Sequence, residues 1–244
     1  MKKFFFKLLD IEPAQATRVL LMLGMGFFMG IFLATLDVSA SALFLQNFDE
    51  KTDLPLAILL SGAAGLIFTS IYNFFQSRIK YKTLAISTLA LMTIVLFGVQ
   101  IALERFTDTR EVYRIIFILL LPLNYLTLLV FWGTFGRIFS LRESKKIIGS
   151  IDTGQLIASI LALFSIPLLL QVMQAVDLLK ISFVAASGVL LMLIVIAVKK
   201  LYNVSGQKRT ERVSYARLMK SKYVVLMATF VIVSMIALSF VDFA

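Results

Sequence analysis

Along this chain, apolar stretches of twenty or more residues alternate with short polar turns, and they do so seven times. The stretches are 19–45, 54–76, 83–103, 115–136, 147–171, 178–198 and 223–243. Each is about as long as the roughly 20 residues that a helix needs to cross hydrocarbon. In lipid a helix satisfies its own backbone hydrogen bonds within one segment. The pattern predicts an all-α polytopic membrane protein: a six-helix bundle over 19–198, a connection over 199–222 and a seventh transmembrane helix in 223–244.

Residues 1–18 mix Phe4, Phe5, Phe6, Leu8, Leu9 and Ile11 with Lys2, Lys3 and Lys7, which predicts an amphipathic segment lying in the interface. The small residues Ser39, Ala40, Ser41 and Ala42 imitate a signal-cleavage site, but the apolar run from Val19 is too long for a signal core. The connection 199–222 is polar and basic, and its part around Tyr215, Leu218 and Met219 suits a second surface helix. The chain is expected to be part of a longer protein with a further transmembrane half beyond residue 244.

Composition narrows the function. Hydrophobic residues make up 60% and charged residues 16%, with a mean hydropathy of +0.94, which no ordinary soluble domain shows. The chain has no cysteine and no histidine, which removes thiol chemistry and the commonest metal ligands. No cofactor is expected.

The net charge of +10 reads as topology. With the N-terminus placed in the cytoplasm, 19 of the 24 lysines and arginines fall on the inner side. Anionic lipids are then the expected partners of the basic segments, and nucleic acid is not. The chain is expected in a bacterial inner membrane.

Acidic groups within the spans are the candidate chemistry, because charge inside a membrane is costly. Asp37 ends a small and polar stripe of Gly26, Gly30, Ala34, Asp37 and Ser41 at helical spacing. Two readings of that stripe stay open: a cavity wall with a coupling or substrate carboxylate, or a close helix–helix seam. Asp152 shares a face with Gln155 and Ser159. It reads as an interfacial carboxylate, or as one member of an inner latch with Arg137, Arg142 and Glu143 from the loop RIFSLRESKK. Asp242 stands near the outer end of the seventh span.

Span 4 carries Pro122, Asn124, Tyr125, Thr127, Phe131, Trp132 and Thr134. A proline inside a membrane helix frees a carbonyl, and Asn124, Thr127, Phe131 and Thr134 share one face. Asn124, Tyr125 and Thr127, with Asp37 and Ser41, are the expected substrate contacts. Ser61, Gly65 and Thr69 in span 2 read as packing glue, and the uniformly apolar spans 3 and 6 are expected to face lipid. No catalytic constellation is visible, since Asp37 and Asp152 stand on opposite sides of the midplane and no phosphate-binding loop or dinucleotide fingerprint occurs.

Six spans, a long basic connection and a seventh span resemble the first half of a major facilitator superfamily transporter. The stretches LDIEPAQATRVLLMLGMGFF, LPLAILLSGAAG and FWGTFGRIFSLRESKKIIGSIDTGQLIAS resemble the ATP/ADP translocase-like branch, through Phe131, Trp132, Arg137, Arg142, Lys145, Lys146, Gly149 and Gly154. The resemblance implies an MFS-type bundle and alternating access around a midplane site. Where that branch carries a basic residue in the outer part of the first span, this chain has Asp37. A nucleotide with several phosphates calls for cations there, so the implied substrate is a nucleotide or another small anion or metabolite. The expectation from another class is a membrane scaffold or sensor module without a wet cavity.

Overall fold

The computed structural model describes residues 15–105, 110–199, 201–202 and 221–242. The interfacial segment over 1–18 falls outside the described residues as far as 14, and the basic connection does so over 203–220.

Among the described residues seven helices run in chain order: α1 (Ala16–Asn47), α2 (Leu54–Gln76), α3 (Tyr81–Arg105), α4 (Arg110–Ile138), α5 (Leu141–Leu169), α6 (Ala175–Val198) and α7 (Lys222–Asp242). There is no strand among the described residues. Helices α1–α6 are long and apolar enough to cross a membrane. The chain is thus all-α and polytopic, as the hydropathy pattern predicts. It divides into two compact units, 1–203 and 204–244, and α7 belongs to the second as a helix of 21 residues.

Local sequence sets the helix ends. Pro55 stands in the first turn of α2, where its missing N–H costs nothing. The helix α5 begins six residues before the predicted span. Ser140 accepts from the Glu143 N–H at 3.4 Å, and the Ser140 N–H donates to Glu143 Oε2 at 2.7 Å. That reciprocal cap turns most of the expected inner loop into helix, leaving Phe139 and Ser140 as the turn.

In the first unit α1 and α4 are the most enclosed helices. The helix α1 packs on α4, α5 and α6, while α4 packs on α1, α2 and α3, and α3 also meets α6. Exchanging α1–α3 with α4–α6 maps these principal contacts onto themselves. The start of α1 meets the end of α4, where Arg18 Nη1 donates to the Ile138 carbonyl at 3.2 Å. The two helices therefore run in opposite directions, and the contact pattern is symmetric under an inverted exchange of the two triplets. The side of the bundle holding the start of α1 and the turns after α2 and α4 is called proximal below.

Small residues make the closest contacts. A Cβ on Gly30 would stand 2.6 Å from the Gln155 carbonyl oxygen and 2.9 Å from Ser159 N, so α1 and α5 touch backbone to backbone. Phe28 fills the space at Gly188 on α6. Thr35 and Ser182 share a buried 2.8 Å hydrogen bond between α1 and α6. The most exposed of the six membrane-length helices are α2 and α5. A uniformly apolar segment has no period, so its sequence does not say which helices it will meet.

Candidate functional site

The stripe on α1 divides in two. Gly26, Gly30 and Ala34 are buried, with Gly26 against Phe131 and Gln155, and Gly30 against α5. Asp37, one turn farther, is exposed, and Ser41 is half-buried. Asp37 lies about 8 Å from the middle of α1 at 1.5 Å per residue. A hydrocarbon core extends roughly 15 Å to either side of its midplane. In a bundle centred on that plane, Asp37 stands at membrane depth.

The polar face of α4 turns inward. Thr127 is 2% exposed; its hydroxyl donates to the Leu123 carbonyl at 2.8 Å and approaches Met92 Sδ on α3. Phe131 and Thr134 are also buried. Asn124 is half-buried, and its Oδ1 has no hydrogen-bond partner. Tyr125 is separated from that face by its 100° step and is exposed. Of the expected contacts, Asp37 and Tyr125 are exposed, Asn124 is partly enclosed, and Thr127 belongs to the α3–α4 seam.

The expected latch residues make no ion pair with one another among the described residues. Glu143 faces α1, where its Oε1 accepts from Gln15 Nε2 at 2.8 Å and lies 3.8 Å from Arg18. Arg142 and Asp152 are exposed. The side chain of Asp242 lies outside those described.

Arg137 instead lies 3.6 Å over the ring of Tyr81, the first residue of α3, and its Nη1 donates to the Gly133 carbonyl at 2.9 Å. The Tyr81 hydroxyl donates to the Val130 carbonyl at 2.7 Å and lies 3.0 Å from Thr134 Oγ1. The Tyr72 hydroxyl comes near that of Tyr81, and the Tyr202 hydroxyl comes near Thr134. Neither makes a hydrogen bond, nor does Arg137 Nε, and all three atoms are buried. No ion pair joins Arg137 to a carboxylate among the described residues.

This cluster closes the proximal end of a groove of about 740 Å³ between α2 and α4. Gly62, Gly65 and Leu66 form one wall, and Leu121, Tyr125 and Trp132 the other, with Thr69, Tyr72 and Gln76 toward the proximal end. A Cβ on Gly65 would stand 3.4 Å from the Tyr125 ring, which places Tyr125 across α2. Trp132 is held edge-on by Phe131 and Phe135. Tyr72, Tyr81 and Gln76 do not stand out in the sequence; the small residues at 62, 65 and 133 are the only trace the groove leaves there.

Among the described residues no group of three His, Cys, Asp or Glu side chains could hold a metal ion. Compared with known proteins, the chain matches no family model, no curated protein and no solved structure.

Proposed function

We propose that this chain forms part of a facilitator-type secondary transporter that works by alternating access. The observation that carries the reading is Asp37, a carboxylate exposed at membrane depth on the most enclosed helix. Charge at that depth is costly in hydrocarbon, so the face it sits on borders water or a polar partner. The inverted relation of α1–α3 to α4–α6 supports the reading, since inverted triplets are a common architecture of carriers with a midplane site.

In this reading Asp37 is the coupling or substrate carboxylate, with Ser41 one turn farther out and Tyr125 and Asn124 on α4. A second helical bundle covers the exposed faces of α2 and α5. The contact of Glu143 with Arg18 and Gln15 holds the proximal side closed. The substrate is a small metabolite, and an exposed carboxylate at this level suits a proton, a cation or an amine better than a polyphosphate. The protein sits in a bacterial inner membrane with the basic proximal side in the cytoplasm.

Because the chain has no cysteine, one introduced thiol tests the cavity. Asp37→Cys is expected to react with a membrane-impermeant thiosulfonate applied from either side, in different states of the carrier. Ile94→Cys, at a site 65% exposed on α3, is expected to stay unreactive in lipid. An Asp37→Cys thiol that reacts from neither side removes the carrier reading. The second reading, a scaffold without a wet cavity, draws on the tight α1–α5 seam at Gly30 and predicts that unreactive result.

A further inference from the structure

The α2–α4 groove has a direction. From Gly62 to Gln76 it follows α2 for 14 residues, about 21 Å at 1.5 Å per residue. Gly65 is the middle residue of α2 and Gln76 its last, so the groove runs from the centre of the bundle to the proximal surface. That is about the thickness of one leaflet, roughly 15 Å of hydrocarbon plus part of its headgroup layer. Its walls change along the way, with Leu66, Leu121 and Leu128 in the apolar part and Tyr72 and Gln76 at the proximal end.

Donors that lack acceptors lie behind that end, where Arg137 is bonded to the carbonyl of the groove-lining Gly133. Arg137 has no carboxylate partner among the described residues, and its Nε is buried without a hydrogen bond. Tyr72 is 4% exposed, lines the groove and has an unpartnered hydroxyl. Leaving such groups unmade is unfavourable, and each is a donor that an oxyanion would satisfy. The turn just beyond, residues 77–80, adds Arg78 and Lys80 and no acid. The charge and the open donors thus call for an anion, while the length and the apolar walls call for a hydrocarbon chain attached to it.

We propose that the α2–α4 groove binds one phospholipid of the proximal leaflet, its phosphate held by Arg137 and Tyr72 and an acyl chain laid along Gly65 beside Tyr125. Turning the Tyr72 phenol toward the groove that it already lines gives its hydroxyl the phosphate as acceptor. The bare backbone at Gly62 and Gly65 leaves room for the chain, and Trp132 lies against it. The site is a lipid site whether or not the protein transports anything, so its test is a binding measurement.

Trp132 is the only tryptophan in the chain and so reports on the groove. The full-length protein in dodecyl maltoside is titrated with a phosphatidylglycerol brominated on its acyl chains, and quenching of Trp132 is followed. Saturable quenching is expected, displaced by unlabelled phosphatidylglycerol but not by a phosphate-free galactolipid with the same chains. Arg137→Gln should raise the half-saturation concentration about tenfold or more, and Tyr72→Phe several-fold. The Tyr72→Phe change keeps the ring, so it carries the test alone if Arg137→Gln does not fold. Unsaturable quenching, equal displacement by the galactolipid, or unchanged binding by Tyr72→Phe overturns the proposal. Displacement by inorganic phosphate as effective as by the lipid would mark a soluble-anion site and overturn it too.

Discussion

Ser159 Oγ donates to the Gly30 carbonyl at 3.2 Å, across a seam where the α5 backbone comes against α1 at a glycine. The atoms nearest a Cβ on Gly30 include the Gln155 carbonyl oxygen and the Ser159 nitrogen, and backbone cannot swing aside. Gly30→Ala is therefore expected to destabilise the bundle by about 1–3 kcal/mol through overpacking. Gly62→Ala meets nothing within 4 Å and should leave stability unchanged or slightly raised. Unfolding in detergent, followed by Trp132 fluorescence, compares the two.

The buried Thr35–Ser182 bond ties α1 to α6 with one hydroxyl donating to the other, and the hydroxyl that accepts it donates to its own helix, Thr35 to Ile31 or Ser182 to Leu178. Removing one partner leaves the other still satisfied. A double-mutant cycle of Thr35→Val and Ser182→Ala should give a coupling of about 0.6 kcal/mol, the usual size for such bonds between membrane helices. A coupling near zero would mean that the hydroxyls only serve their own helices.

At Gly133 a Cβ would stand 2.6 Å from the Tyr81 hydroxyl oxygen. Gly133→Ala should destabilise, and Tyr81→Phe should relieve the clash. The double variant is expected to be more stable than the sum of the two single effects, by about 0.5–3 kcal/mol as for residues in contact. Thermal unfolding of the four proteins reads this directly.

Ser140 and Glu143 cap α5, and Glu143 also reaches Gln15 and Arg18. Ser140→Ala should cost about 1 kcal/mol as a lost cap. Arg18→Gln should cost less than about 1 kcal/mol, since a 3.8 Å ion pair near the surface contributes little. Equal losses in the two variants, measured by denaturant unfolding, would assign the stabilisation to the ion pair instead.

Asp37→Asn removes the charge of the exposed side chain and keeps its size, so it tests the coupling role. If the carboxylate couples protons, the same change abolishes gradient-driven uptake in proteoliposomes while exchange continues. Unchanged driven uptake removes the coupling role.

Hydropathy locates every helix, because span length is set by the bilayer and not by neighbours. The span 54–76 coincides with α2, bounded by Pro55 and the turn after Gln76. The S-x-x-E box at Ser140–Glu143 is legible too, yet the basic residues around it read as loop. Facing is less legible. Asn124, Thr127 and Thr134 share one face by spacing, but spacing does not say whether that face meets water or another helix. Thr127 could go inward because its hydroxyl is satisfied by Leu123 within its own helix. Tyr72 and Tyr81 are 9 residues apart on different helices, and only folding brings both to Arg137 and Gly133. The depth of Asp37 was readable, and its exposure needed the structure.

The two outermost helices each lean chiefly on a single neighbour, α2 on α4 and α5 on α1. Peeling either one away breaks one seam and leaves the antiparallel α1–α4 pair intact. Such local release costs less than global unfolding. The six-helix bundle is therefore a two-helix spine with α2 and α5 each fastened to it along one seam, so the loss of one seam leaves the other standing.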